Sequence, residues 1–173
     1  MARNVEIKAR VDNLAVLEPL AAALSGQEPV ILDQDDTFFT CTHGRLKLRA
    51  FGDGTGELIF YRRSDEAGPK ESFYAISPTD SPDTLRQTLT LAYGAIGRVK
   101  KHRTVFMAGR TRIHLDRVEG LGDFLELEVV LRDGESLDAG SEEARTLMAG
   151  LGVAPTQLVA GAYLDLLAAT PRP

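Results

Sequence analysis

Residues 4–11, Asn-Val-Glu-Ile-Lys-Ala-Arg-Val, alternate polar and apolar side chains without a break. That two-residue period belongs to a strand with two unlike faces. Related patterns predict strands over 34–40 and 44–51, and a third over 57–63 after a turn at Gly52, Gly54 and Gly56. A loop around Gly68-Pro69 precedes a short strand at 71–76, and strands follow at 98–107, 111–117 and 123–132. Four stretches read as helices. The first covers 12–24, with Asp12 placed to cap it and Pro19 placed to kink it. Ser81-Pro82 supplies the N-cap and first turn of a second that ends near Leu91. Ser141 caps a third to Met148, and Pro155 opens a last one through Leu167. About seven or eight strands with four helices make an α+β chain. The links between strands are mostly short, which favours antiparallel pairing.

The strand faces carry the chemistry. Side chains two apart point the same way. Asn4, Glu6, Lys8 and Arg10 therefore share one face, opposite Val5, Ile7, Ala9 and Val11. Arg45, Lys47 and Arg49 share a face, as do Lys101 and Arg103 with Val99 and Val105. Arg112, His114 and Asp116 share another, and so do Glu126 and Glu128. An ordinary sheet with a solvated outer face is one explanation. The charges, however, are dense and segregated by strand, whereas a simple solvated face mixes its signs. A closed barrel with a polar lumen, and an apolar exterior covered by helices, accounts for both features. About eight strands enclose room for one small ligand.

Such a lumen permits a narrow chemistry. Clustered Lys and Arg suit phosphate oxygens, Arg in a two-pronged fashion. Glutamates two apart on one strand suit a hard cation such as Mg2+ or Mn2+. A metal bridging phosphates while basic side chains neutralise the rest is the recurring arrangement for phosphoryl transfer.

Composition sharpens this picture by exclusion. The chain has 173 residues, 43% hydrophobic, enough for one domain with its own core over 1–173. Its formal net charge of −5 offers no basic excess for nucleic acid. No long apolar run or signal-peptide pattern occurs, so no membrane partner is expected and a cytoplasmic location is. Cys41 is the single cysteine, which leaves no disulfide framework and no cysteine-rich zinc site. His43, His102 and His114 match no metal motif and read as structural or surface residues. The phosphate-binding loop GxxxxGK[ST], the GxGxxG fingerprint, HExxH and GxSxG are all missing.

Several segments resemble a known family in the family's own order. Glu6-Ile7-Lys8 is similar to the second half of the ExExK signature of the CYTH proteins, the triphosphate tunnel metalloenzymes. The run 34–39, QDDTFF, resembles the QxDTYF segment of the CyaB-type branch, and 44–49, GRLKLR, resembles GxLRLR. Val99 to Arg103 is similar to VxKxR, 115–122 to LDxVxxLG, and Phe124 to Glu128 to FxExE. The resemblance runs from residue 4 to about 167. It implies a closed antiparallel eight-stranded barrel, the triphosphate tunnel, with flanking helices. It also implies that Lys8, Lys47, Arg49, Lys101, Arg103 and Arg112 hold the triphosphate. Glu6, Glu126 and Glu128 would hold Mg2+ or Mn2+, with Asp116 as a further ligand or positioning group. Lys8, Arg49, Lys101, Arg103 and Asp116 would act in catalysis.

Two positions depart from the family pattern. Asn4 stands where the first glutamate of ExExK is usual, which questions a second metal ion. Tyr61 stands where many members carry lysine, and Arg63 on the same face is the expected substitute for phosphate binding. The branch resemblance implies a class IV adenylyl cyclase making cyclic AMP and pyrophosphate from ATP. A triphosphatase acting on tripolyphosphate or thiamine triphosphate needs the same lumen, and a non-catalytic module binding polyphosphate or nucleotide is the third reading. A small-molecule triphosphate is the expected partner, and a homodimer is compatible with the sequence.

Overall fold

A computed structural model describes residues 2–171. Eight strands, β1 (Ala2–Arg10), β2 (Val30–Phe39), β3 (Arg45–Phe51), β4 (Gly56–Arg63), β5 (Lys70–Thr79), β6 (Ala95–Ala108), β7 (Thr111–Val118) and β8 (Gly122–Val130), close into a barrel. The order around it is β1-β5-β4-β3-β2-β6-β7-β8, and every pairing is antiparallel. The ring shuts where β1 pairs with β8, from Asn4 opposite Val130 to Arg10 opposite Phe124.

The helices are α1 (Leu14–Ser25), α2 (Pro82–Tyr93), α3 (Leu137–Gly150) and α4 (Tyr163–Ala169). The alternation in the strands decides where the core lies. Val5, Ile7 and Ala9 of β1, with Ile113, Leu115, Leu125, Leu127 and Val129, form the outer skin of the barrel and are buried. Leu17 and Ala21 of α1, with Ala144 and Met148 of α3, complete that layer. Under α2 a smaller cluster joins Phe39, Leu48 and Leu89. The apolar faces thus turn outward onto helices, and burial of each large side chain there contributes about 1.5–3 kcal/mol. The opposite faces, with Glu6, Lys8, Lys101, Arg103 and Glu126, turn inward.

Several boundaries differ from the sequence expectations. The α1 cap is Asn13, whose side chain accepts from the Ala15 backbone N–H, and not Asp12; the helix continues through Pro19. α3 starts five residues earlier than Ser141 suggests, capped by Ser136, which accepts from the Ala139 N–H. Pro155 opens only a 3-10 turn, Pro155–Gln157, and the last helix begins at Tyr163. β2 begins at Val30, where pairing with Val105 of β6 supports it although Val30 and Ile31 are both exposed. The turn between β3 and β4 forms as expected. Gly54 takes a φ of 87° there, and the Asp53 carboxylate accepts from the Thr55 N–H and hydroxyl.

The segment around α4 crosses one end of the barrel. Val159 donates to the Lys8 carbonyl of β1, and Asp165 accepts two bonds from Arg45 of β3. Leu164 packs against Gly97 of β6 so closely that any Cβ at Gly97 would collide with it. The lumen therefore has a covered end. At the other end Val30 and Ile76 are exposed. No helix among the described residues is long and apolar enough to cross a membrane.

Candidate active site

The lumen holds a cavity of about 450 Å³, within the usual range for a small-molecule site. Lys8, Lys47, Arg49, Arg63, Lys101, Arg103, Arg112, Glu6, Glu126 and Glu128 all line it, as their strand parities predict. Arg45, on the same face of β3, instead pairs with Asp165 and Asp65 at the covered end.

One wall is built by β2, β3 and β6. Asp36 of β2 stands opposite Arg49 of β3 and is only 1% exposed. Arg49 donates to both of its oxygens at 2.8 Å, and Lys47 reaches it at 2.9 Å. Lys101, from β6 on the other side, lies 3.5 Å away. Burial alone would raise the Asp36 pKa, but the charges of Arg49, Lys101 and Lys47 outweigh it and hold the carboxyl well below the ordinary range. The Lys101 pKa moves the same way, but for an ammonium a lowered pKa disfavours the charged form. Burial pushes its ammonium down to about 7, and the partial help of Asp36 is opposed by Arg103, Arg49 and Lys47. One carboxylate faces three cations here, and an anion would relieve the imbalance.

The other wall, from β1, β4, β6, β7 and β8, is matched. Glu126 accepts from Arg103 and pairs with Lys8 at 3.3 Å. Glu6 accepts from Arg63 at 2.9 Å, and Glu128 accepts from Arg112 at 2.8 Å. Burial raises the Glu128 pKa, yet His114, Arg112 and Arg103 bring it down to about 2. Asp116 is wholly buried behind Arg103, which donates to both of its oxygens, and the Tyr163 hydroxyl donates to it at 2.7 Å. Tyr163 also forms the floor. Its ring centroid lies 4.1 Å from Lys8 Nζ and 5.3 Å from Lys101 Nζ. Lys8 donates to the Gly161 carbonyl at 3.0 Å, and burial lowers its pKa to about 8.

Among the described residues, four buried side-chain polar atoms lack a partner: Asn4 Oδ1, Gln34 Oε1, Arg63 Nε and His114 Nδ1. All four residues line this one cavity. Buried polar groups are normally satisfied, so their concentration here indicates a ligand site.

A divalent cation fits the donor set on one side. Glu6 and Glu128 stand opposite each other on β1 and β8, and the unpaired Asn4 oxygen projects from the same face of β1 as Glu6. Among the described residues no three acidic, His or Cys side chains converge on one point. Mg2+ is commonly held by one or two carboxylates and completed by water and substrate phosphates, which suits such a set.

Sequence reasoning passed over three of these residues. Asp36 lies within the polar run 34–37, where no alternation marks a face; the QDDTFF segment that contains it was the available signal, and its place opposite Arg49 emerges only from strand pairing. His114 is 4% exposed and lines the cavity, with Nδ1 3.7 Å from Glu126, whereas His43 and His102 are exposed. Tyr163 enters through a tertiary crossing that no local pattern announces.

Known proteins share this architecture. The family model described as CYTH domain matches residues 2–163. Adenylate cyclase CyaB of Aeromonas hydrophila is 25% identical, covering 94% of this chain and 87% of that protein. A solved protein from Pyrococcus horikoshii superposes with a TM-score of 0.84 at 22% identity, covering 95% of this chain and 99% of that one. The Hippeastrum protein HpAC1, described as showing a dominant triphosphatase activity, superposes with a TM-score of 0.68 at 15% identity, covering 95% of each chain.

Proposed function

The chain belongs to the CYTH domain family, and on that premise we propose that it is a metal-dependent enzyme of the class IV adenylyl cyclase type, converting ATP to cyclic AMP and pyrophosphate. The observation that carries the reading is the cationic wall, where Lys47, Arg49 and Lys101 share the single carboxylate of Asp36. A triphosphate supplies the anionic charge which that wall lacks. Lys8, Arg63, Arg103 and Arg112 would complete the cradle by shifting part of their hydrogen bonding from carboxylate to phosphate.

In the reaction the ribose 3′-hydroxyl oxygen bonds to the α-phosphorus. The bond from that phosphorus to the bridging oxygen of the β-phosphate breaks, and the hydroxyl proton is lost to solvent or a nearby base. Arg49, Lys101, Arg103 and Lys8 stabilise the charge that builds on the departing pyrophosphate. Asp116 acts by fixing the Arg103 guanidinium, since both of its oxygens are committed there. Glu6 and Glu128, with Glu126 beside them on β8, would hold Mg2+ or Mn2+; bound there, the ion would polarise phosphate oxygens and offset their charge.

A triphosphatase is the second reading, because the same cradle can bind a triphosphate whose terminal phosphorus is attacked by water. The relative from Aeromonas hydrophila favours the first reading and the Hippeastrum protein the second. Incubating the protein with ATP, thiamine triphosphate and tripolyphosphate, each with Mg2+ or Mn2+, separates them. Cyclic AMP with pyrophosphate is the expected product pair from ATP. Inorganic phosphate without cyclic AMP would replace the cyclase reading by the triphosphatase, and no turnover of any of the three would reject both.

A further inference from the structure

His114 is the one histidine inside the barrel. It projects from β7 into the lumen, opposite Glu126 of β8, and is 4% exposed. Its Nδ1 lies 3.7 Å from Glu126 Oε2, and its Nε2 lies 3.9 Å from Glu128 Oε2. Both separations are too long for a hydrogen bond, and the buried Nδ1 has no other partner. A buried imidazole is normally tied through at least one nitrogen. Here two carboxylates flank the ring and neither holds it.

The spacing suits an ion between ring and carboxylate. Donors held about 2.1 Å from one divalent ion stand roughly 3–4 Å from one another. Of the two flanking carboxylates, Glu126 is spent on Arg103 and Lys8, whereas Glu128 accepts from Arg112 through Oε2 alone. Glu6 stands opposite Glu128 across the β1–β8 seam, and the unpartnered Asn4 Oδ1 belongs to the same face as Glu6. An ion on the Glu128 side therefore meets the Nε2 edge of the ring. That leaves the Nδ1–H free to turn to Glu126. A metal-bound imidazole is commonly fixed in this way by a carboxylate behind it.

We propose that His114 is a ligand of the divalent ion, through Nε2 and beside Glu128, and that the site therefore favours Mn2+ and Co2+ over Mg2+. Mg2+ takes oxygen ligands and sheds its water reluctantly. Imidazole nitrogen suits transition ions, with affinity rising from Mn2+ to Co2+. The inference rests on the metal-dependent reading above.

Pulsed electron paramagnetic resonance of the full chain tests it. The probe is Mn2+ below the protein concentration, with and without tripolyphosphate, and binding is read from loss of the aqueous-ion signal. Bound Mn2+ is expected to show the modulation of a directly ligated nitrogen, and histidine labelled with heavy nitrogen should change its frequencies. His114→Gln, which offers an oxygen in place of the ring, should remove that modulation. His43→Gln and His102→Gln, both at exposed positions, should leave it. The labelled parent and these two surface variants decide the question should His114→Gln fail to fold. Displacement of bound Mn2+ by Co2+ and by Mg2+ gives a second readout. His114→Gln should lower the ratio of Co2+ to Mg2+ affinity by at least about tenfold, since even the groups behind a metal ligand are worth about 10–100-fold. A ratio unchanged in that variant overturns the selectivity. Bound Mn2+ without nitrogen modulation, or modulation that survives His114→Gln or disappears with His102→Gln, overturns the ligand and leaves the metal reading standing. No binding of Mn2+ under either condition overturns both.

Discussion

The two walls of the lumen carry similar residues in different proportions. On β2, β3 and β6, Asp36 alone answers Lys47, Arg49 and Lys101. Across the barrel Glu6, Glu126 and Glu128 with Asp116 are matched by Arg63, Lys8, Arg112 and Arg103. Each cation of the matched wall has a partner that already repays part of its desolvation. The cations of the first wall share one partner, and burial accordingly drives Lys101 to about 7. The lesson is that the location of an anion seat is marked by an excess of charge over partners, not by the number of basic residues. The matched wall, where carboxylates are plentiful, is the side suited to a cation.

The largest test of this contrast is Asp36→Asn. Removing the only anion leaves three buried cations unpaired and should cost about 3–5 kcal/mol in urea unfolding. Added tripolyphosphate should restore more stability to the variant than it gives the parent, because it replaces the missing charge. A loss below about 1 kcal/mol would show that the wall tolerates its own charge and would break the comparison.

Next in size is the difference between Arg49→Met and Arg112→Met. Each charge-assisted hydrogen bond contributes about 1.5–3 kcal/mol, so the first variant should bind tripolyphosphate about 10–100-fold more weakly. Arg112 is committed to Glu128 at 2.8 Å and is more exposed, so its loss should cost less than about tenfold. Equal losses would mean that the walls share the ligand evenly. Glu128→Gln tests the other side. The metal concentration for half-maximal turnover should rise about tenfold. Tripolyphosphate affinity in metal-free buffer should hold or increase slightly, since an anion has been removed. A metal requirement equal to the parent's would take Glu128 out of the metal site.

The smallest effect concerns pH. Lys101 is charged below about 7 and neutral above it in the free protein. A bound triphosphate favours the charged form and raises that pKa. Affinity should therefore be highest below 7, fall severalfold as pH rises through 7 to 8, and be accompanied by proton uptake in calorimetry at pH 8. Lys101→Met should remove the part of the fall centred near 7 and leave the part near 8 that belongs to Lys8, and a profile unchanged by the substitution would assign the whole titration to Lys8 or another group.

Much of this arrangement was legible in the chain. The unbroken alternation of β1, and the shared parities of Lys47 with Arg49, Lys101 with Arg103 and Glu126 with Glu128, place those side chains on one face before any strand is paired. Parity cannot say which strands become neighbours. The sharing of Asp36 by β3 and β6 was therefore hidden, because it arises from β2 lying between them. Tyr163 was hidden for a related reason, since its role comes from a segment crossing the barrel end. Local errors have local causes. Asp12 and Asn13 can both cap a helix, and Ser136 competes with Ser141. Pro155 starts a helical turn but cannot prolong it, and the chain turns extended again at Leu158.

The seam between β1 and β8 has a consequence for how the chain comes to be folded. It joins residues near the start of the sequence, Asn4 to Arg10, to Phe124 through Val130. During synthesis β2 can find β3, and β4 can find β5, while β1 waits for more than a hundred residues before its second neighbour exists. Over that interval the sheet is an open ribbon with two unpaired edges, the form in which β-structure recruits other chains. Contacts of such long sequence separation also slow the search for the native state. The closed ring has no free edge to template aggregation, so the hazard is confined to the nascent and unfolding chain, and the last strand to emerge is the one that removes it.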